Sequence, residues 1–203
     1  MTKKQKILRK WTQAGVIAAV AYVSFAFLRI EIPLPGGHTA IHLGNALCVL
    51  GGLLLGSKLG GLSGAVGLSM ADVLSGTFLT SAPTTFVLKF CIGAIAGLVA
   101  HKIGKIHKTN NKVHVGKWTV IASFAALGFN VIFAPIVSYL WKLHVLGQGE
   151  DAARTLARLG SFATMFNAVI CLFAAVILYQ ILRPILLRTG DIEIVEEVKK
   201  ESE

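Results

Sequence analysis

The apolar residues of this chain fall into long blocks, each close to the roughly 20 residues that a helix needs to cross a hydrocarbon core of about 30 Å. A segment in lipid must satisfy its backbone N–H and C=O groups internally, so such blocks fold as helices packed on helices. Composition agrees. Of 203 residues, 54% are hydrophobic and 15% charged, whereas a soluble domain carries about a quarter charged residues. Mean hydropathy is +0.69. The 21 glycines fit too, because Gly is more frequent in membrane helices than in soluble ones. The expected fold class is an all-α integral membrane protein, a six-helix bundle forming one domain.

Hydropathy places the spans over Thr12 to Arg29, Ile41 to Gly56, Leu59 to Phe78, Thr84 to Gly104, Trp118 to Trp141 and Gly160 to Leu187. The domain reading is a basic N-terminus over 1–11, a membrane domain over 12–187 and a charged tail over 188–203, solvated from Asp191 onward. Spans two and three are the weak point of the count, because they are separated only by Ser57-Lys58 and are rich in Gly; a re-entrant pair would leave four or five crossings. Pro33-Leu34-Pro35-Gly36-Gly37 and Ser81-Ala82-Pro83 mark structured loops. The first span has a basic start, but it is long and ends in a poor cleavage context, Phe25-Ala26-Phe27-Leu28-Arg29, so it reads as a helix rather than a cleaved signal.

The net charge of +10 is explained by its distribution. With six spans, 15 of the 20 basic residues fall on one side: the N-terminus, Lys58, the 102–117 loop and the C-terminal end. The positive-inside rule puts that side, with both termini, in the cytoplasm of a multi-pass protein of the bacterial plasma membrane. The charge thus sets orientation and attracts anionic membrane lipid; no nucleic-acid partner is expected. Cys48, Cys91 and Cys171 all lie in apolar spans and read as small packing residues. No cofactor is expected.

Polar residues inside spans are the informative ones, because an ionisable group in hydrocarbon costs about 2.5–3.5 kcal/mol and normally faces a partner or a cavity. Asn45, Asp72, Lys89, Asn130 and Asn167 lie on spans two to six, and helical rise puts them in the outer half of the bundle. One outward-facing pocket is the joint reading. The alternatives are a neutralising Asp72–Lys89 pair, an Asn45 cap, and Asn130 and Asn167 as interhelical glue. His38 and His42 flank the entrance. Their spacing suits a metal on a helix, but Pro35-Gly36-Gly37 precedes them and no third ligand follows, so a polar loop or a contact to an aromatic ligand is expected and a metal is not. His101, His107 and His114 belong to the basic loop and are expected to be solvated, and His144 to sit at the outer interface.

No enzyme constellation is present: the run from Gly51 to Lys58 lacks Walker A spacing, and there is no Gly-x-Ser-x-Gly, Cys-x-x-Cys or His-Glu-x-x-His. Uphill transport would then draw energy from an ion gradient or a partner ATPase. On span one, Ala14/Ala18 and Gly15/Ala19 form overlapping small-x-x-x-small pairs, continued by Ala21 and Ser24. Such a face lets another helix approach closely, in a partner or within the same bundle.

The stretch Thr39-Ala40-Ile41-His42-Leu43-Gly44-Asn45 and the run Gly60-Gly61-Leu62-Ser63-Gly64-Ala65-Val66-Gly67 carry a resemblance. So do Asp72-Val73-Leu74-Ser75-Gly76 and Ser81-Ala82-Pro83-Thr84-Thr85-Phe86-Val87-Leu88-Lys89. Together with the Ala-x-x-x-Ala first helix, the chain resembles the substrate-binding S component of an energy-coupling factor (ECF) vitamin transporter, over about residues 12–187. The resemblance implies a non-enzymatic binder that docks, through Ala14, Gly15, Ala18 and Ala19, on an ECF transmembrane coupling subunit and two ATPase subunits. It also implies that the loop after span one lids an outer pocket lined by spans four to six. Within the family the chain is most similar to members assigned to pyridoxine (vitamin B6) or hydroxymethylpyrimidine. Such ligands suit amide, carboxylate and ammonium groups with aromatics such as Phe86, Phe129 and Phe166 nearby. Cobalt and nickel members begin with a metal-binding histidine, where this chain has Thr2-Lys3-Lys4. An autonomous ion-coupled transporter or channel is the alternative.

Overall fold

A computed structural model describes residues 2–34, 37–192 and 194. The remainder of the expected solvated tail lies outside the described residues, as do Pro35 and Gly36 of the expected Pro/Gly loop. Six helices carry the fold: α1 (Lys3–Leu28), α2 (Gly44–Leu55), α3 (Ser57–Ser75), α4 (Ala82–Gly97), α5 (Lys112–His144) and α6 (Glu150–Arg188). By length and composition, α1, the 79–103 stretch around α4, α5 and α6 can each cross a membrane.

α2 has only 12 residues, about 18 Å at the helical rise and short of a full crossing. It is also the most enclosed helix, with every residue from Gly44 to Leu53 buried. It starts deep because a hairpin occupies the level above it. β1 (Ile30–Leu34) and β2 (Gly37–Ile41) pair antiparallel, with Ile30 opposite Ile41 and Leu34 opposite Gly37. The hairpin is a strand element that hydropathy did not reveal. Its alternation puts Ile32 and Leu34 with Thr39 and Ile41 beside Phe162 and Phe166 of α6.

Backbone contact holds the three middle helices. A Cβ on Gly52 of α2 would run into the carbonyl of Gly93 on α4, and one on Gly93 would lie 2.5 Å from the carbonyl oxygen of Gly60 on α3. Lipid gives little hydrophobic reward for helix association, so such close approach supplies the packing. Gly56, at φ +81°, makes the sharp turn from α2 into α3.

α1 divides its small residues. Ala14 and Ala21 are buried, and a Cβ on Gly67 of α3 would strike the carbonyl of Ala18. Ala14 and Ala18 therefore serve the bundle itself. Gly15 and Ala19 are exposed, and a Cβ on Gly15 meets nothing within 4 Å.

The basic segments gather at one end. Arg9 Nε donates to Asp191 Oδ1 at 2.8 Å, and Gln13 Nε2 to the Asp191 carbonyl at 3.1 Å, so the two termini meet. Asp191 is thus docked rather than free in solvent. Arg183, in the last turns of α6, is buried and holds the 106–110 segment through the carbonyls of Ile106 (3.2 Å) and Thr109 (2.7 Å). The loop histidines are packed rather than solvated: His101 Nε2 lies 2.9 Å from the Leu53 carbonyl oxygen, and His114 Nε2 lies 2.7 Å from that of Gly104.

Candidate functional site

Because α2 begins below the hairpin, a cavity of about 200 Å³ is left above its first turn. The hairpin roofs it, and α3 to α6 wall it. His38, His42, Asn45, Asp72, Lys89, Asn130 and Asn167 all line this one space. The seven polar residues picked from sequence therefore converge, although they come from the hairpin and five different helices or helix starts.

Their local partners separate them into two kinds. Asn167 is already committed: its Oδ1 accepts from the His42 N–H at 3.0 Å, and its Nδ2 donates to the Ala40 carbonyl at 2.8 Å. It clamps the end of the hairpin to α6, with Cys171 Sγ 3.6 Å from the His42 carbonyl oxygen as a weaker second tie. His42 in turn turns the chain into α2, because its Nδ1 accepts the Gly44 N–H at 3.0 Å. That bond places the neutral ring's proton on Nε2, leaving Nε2 a donor toward the cavity. Phe25 packs edge-on to this ring, with centroids 4.8 Å apart.

Asn45 and Asn130 are the other kind. They are 2% and 1% exposed, and the Oδ1 of each is buried with no hydrogen-bond partner. Buried amide oxygens are normally satisfied, and leaving one unpaired costs about 1–3 kcal/mol. Asn45 does not cap α2, whose first residues have no side-chain cap.

Asp72 is buried near the hairpin end of α3, and Lys89 is half-buried on α4. Among the described residues no salt bridge within 4.0 Å joins them. Thr85, one turn before Lys89, lies beside the Asp72 carboxylate instead. The alternative of a directly neutralising Asp72–Lys89 pair is thus not formed as a salt bridge, and both residues line the cavity.

The aromatic expectation is corrected. Phe86 and Phe166 are exposed, and Phe129 stacks on Phe133 with centroids 4.4 Å apart; none of the three lines the cavity. Phe25 and Phe78 do, in T-shaped contact at 5.6 Å. Arg29 lies over both rings, at 4.9 and 5.6 Å, and pairs with Glu31 of the hairpin through Nε at 2.7 Å. Sequence reading also missed the stripe Asn130, Ala134, Ser138 and Lys142 down one face of α5. Four-residue spacing from Asn130 would have found it. Lys142 Nζ donates to Ser138 Oγ at 2.5 Å at the cavity's upper edge.

No curated protein matches this sequence. A family model described as the ECF-type riboflavin transporter, S component, matches residues 6–184, a stretch that includes part or all of every helix. With that match over most of its length, the chain belongs to the ECF-type riboflavin transporter S component family, a family of transporter subunits rather than enzymes.

Proposed function

We propose that the cavity under the hairpin is the substrate site of an ECF vitamin importer and that its ligand is a single-ring hydroxylated heterocycle, pyridoxine first and hydroxymethylpyrimidine second. The observation that carries this reading is the convergence of Asn45, Asp72, Lys89 and Asn130 on one space of about 200 Å³, with the side-chain oxygens of both asparagines buried and unpartnered. A ligand hydroxyl or ring N–H would satisfy them. Asp72 would accept from a second hydroxyl or a protonated ring nitrogen, and Lys89 would meet a phenolate-like oxygen. His42 and His38 would close the site from the hairpin, and Asn167 would act through the hairpin rather than on the ligand. No catalytic residue, cofactor or resident metal enters this reading.

A second reading is riboflavin, favoured by the description of the matching family. A tricyclic ring with a ribityl chain asks for more room than this cavity, which lies below the usual range of about 300–1,000 Å³ for drug-sized ligands. Equilibrium binding of pyridoxine, hydroxymethylpyrimidine and riboflavin to the purified chain separates the two. Submicromolar binding of a single-ring ligand is the expected result. Riboflavin binding alone would overturn the substrate assignment, and silence from all three would overturn the site.

As an S component the chain works with an ECF transmembrane coupling subunit and ATPases. In our reading two ATPases drive uptake, six spans, the second completed by α2 together with the hairpin above it, place both termini in the cytoplasm, and Gly15 and Ala19 give α1 its outward docking face. Gly15→Leu with Ala19→Leu should abolish uptake by the assembled transporter and leave ligand affinity unchanged. Uptake by the chain alone in liposomes would instead establish an ion-coupled transporter.

A further inference from the structure

The cavity under the hairpin holds a carboxylate and an ammonium group that do not bond to each other. Asp72 reaches it from α3 and Lys89 from α4. Among the described residues no salt bridge within 4.0 Å reaches either one, and Thr85 is the neighbour of the Asp72 carboxylate. Burial strips water from each charge, and only a well-placed opposite charge repays that cost.

The other titratable groups lining the space are His38, His42 and Lys142. Two of these have partners within the protein. His42 Nδ1 accepts the Gly44 N–H, and Lys142 Nζ donates to Ser138 Oγ at the upper edge. Two neutral acceptors complete the inventory, because Asn45 Oδ1 and Asn130 Oδ1 are buried without partners. The cavity thus offers a place for one cationic N–H, one oxyanion and two O–H donors. An uncharged ligand answers neither charge, and a simple cation or anion answers only one. A dipolar ligand answers both and adds no net charge to the bundle.

Taking the cavity as the vitamin site proposed above, we infer that it binds a hydroxypyridine in its dipolar form. The protonated ring nitrogen faces Asp72, and the ring oxyanion faces Lys89. The proton transfer is internal to the ligand: the phenolic O–H bond breaks, a ring N–H bond forms, and the total charge stays zero. Separated charges in an enclosed site are disfavoured unless each is paired, and Asp72 and Lys89 are the pairing groups. The two hydroxymethyl arms of pyridoxine supply O–H donors for Asn45 and Asn130. Hydroxymethylpyrimidine has one such arm and no phenolic oxygen, so it has no dipolar form of this kind. Charge, rather than size, then separates the two single-ring candidates.

The test reads the absorption spectrum of pyridoxine bound to the purified full chain, because the dipolar form has a long-wavelength band that the uncharged form lacks. Bound pyridoxine should show that band. An analogue lacking the phenolic oxygen should bind about tenfold to a hundredfold more weakly, the loss expected of an unmade charged hydrogen bond. An analogue lacking one hydroxymethyl oxygen keeps the dipole and should lose about tenfold or less. Asp72→Asn and Lys89→Gln should each move the bound spectrum toward the uncharged form; the two analogues test the same point on the unaltered protein. An uncharged spectrum for bound pyridoxine, or full affinity without the phenolic oxygen, would overturn dipolar recognition and leave the vitamin site standing. A dipolar spectrum unmoved in both variants would remove Asp72 and Lys89 as the partners. Failure of pyridoxine to bind at all would sink the substrate assignment, and dipolar recognition with it.

Discussion

The two ends of α2 open on cavities of opposite character. At the hairpin end, Asn45 faces a space where amides, a carboxylate and an ammonium group offer both donors and acceptors. At the terminal end, Leu53 to Gly56 face a space lined almost wholly by positive groups and apolar walls. Mixed donors and acceptors discriminate among small polar rings, because a missing hydrogen bond leaves a buried group unpaired. A mainly basic lining, with Asp191 its one acidic group among the described residues, favours anions as a class. The contrast teaches that one short helix keeps a mixed polar space and a basic one apart.

The largest effect should come from the packing that separates the cavities. Gly93→Leu would force side-chain atoms into the Gly60 carbonyl and should cost about 3 kcal/mol or more. Loss of the monodisperse peak in size-exclusion chromatography is the expected outcome; a normally eluting variant with vitamin binding intact would break the picture of a common backbone-packed core. Asn130→Leu sharpens the comparison from the substrate side. It should weaken vitamin binding about tenfold to a hundredfold, measured by titration calorimetry. Thermal stability of the empty chain should hold or rise, since an unpaired buried oxygen is removed. Unchanged affinity would put Asn130 outside the site.

Asn167→Ala should act more mildly. It removes two hydrogen bonds to the hairpin, each worth about 1 kcal/mol, and should speed vitamin release several-fold in stopped-flow experiments. A release rate equal to wild type would mean that the hairpin is not the element that moves. The smallest effect belongs to the terminal end. A hydrogen bond from Thr189, and then Arg9, holds the Asp191 carboxyl below the usual carboxylate range. A depressed native pKa contributes stability above the unfolded value of about 3.9, lost as pH falls through the native one. Near neutral pH the contribution of this pair is fully present and does not vary with pH, so wild type should melt above Asp191→Asn there and approach it only under acid conditions. Convergence that begins above pH 5 would assign the acid response to another carboxylate.

The six helices and the convergence of seven polar residues were legible because charges and amides are rare in apolar helices, and their depth follows from residue count. The azimuth of apolar residues was not. Phe86, Phe129 and Phe166 lie on helices that are apolar toward lipid as well as over much of their inner face, so apolar periodicity alone does not tell a cavity from lipid. Phe25 and Phe78 reach the cavity from a helix end and a loop. The hairpin escaped because hydropathy reads windows of helix length, while Ile30, Ile32 and Leu34 alternate over only five residues. The loop histidines were misjudged for a different reason: His101 meets the Leu53 carbonyl in the last turn of α2, and His114 meets the Gly104 carbonyl beyond α4, both tertiary events.

The shortness of α2 has an electrical consequence. Asn45 lines one cavity and Leu53 the other, eight residues apart, or about 12 Å along the helix axis. If water fills both cavities, a membrane voltage falls mainly across that thin septum instead of the whole bilayer. A charge seated beside Asn45 then senses little of the voltage. Carrying the same charge past Leu53 meets nearly all of it, about 2.3 kcal/mol per elementary charge per 100 mV. Capture should be voltage-blind, and only the crossing should feel the membrane potential.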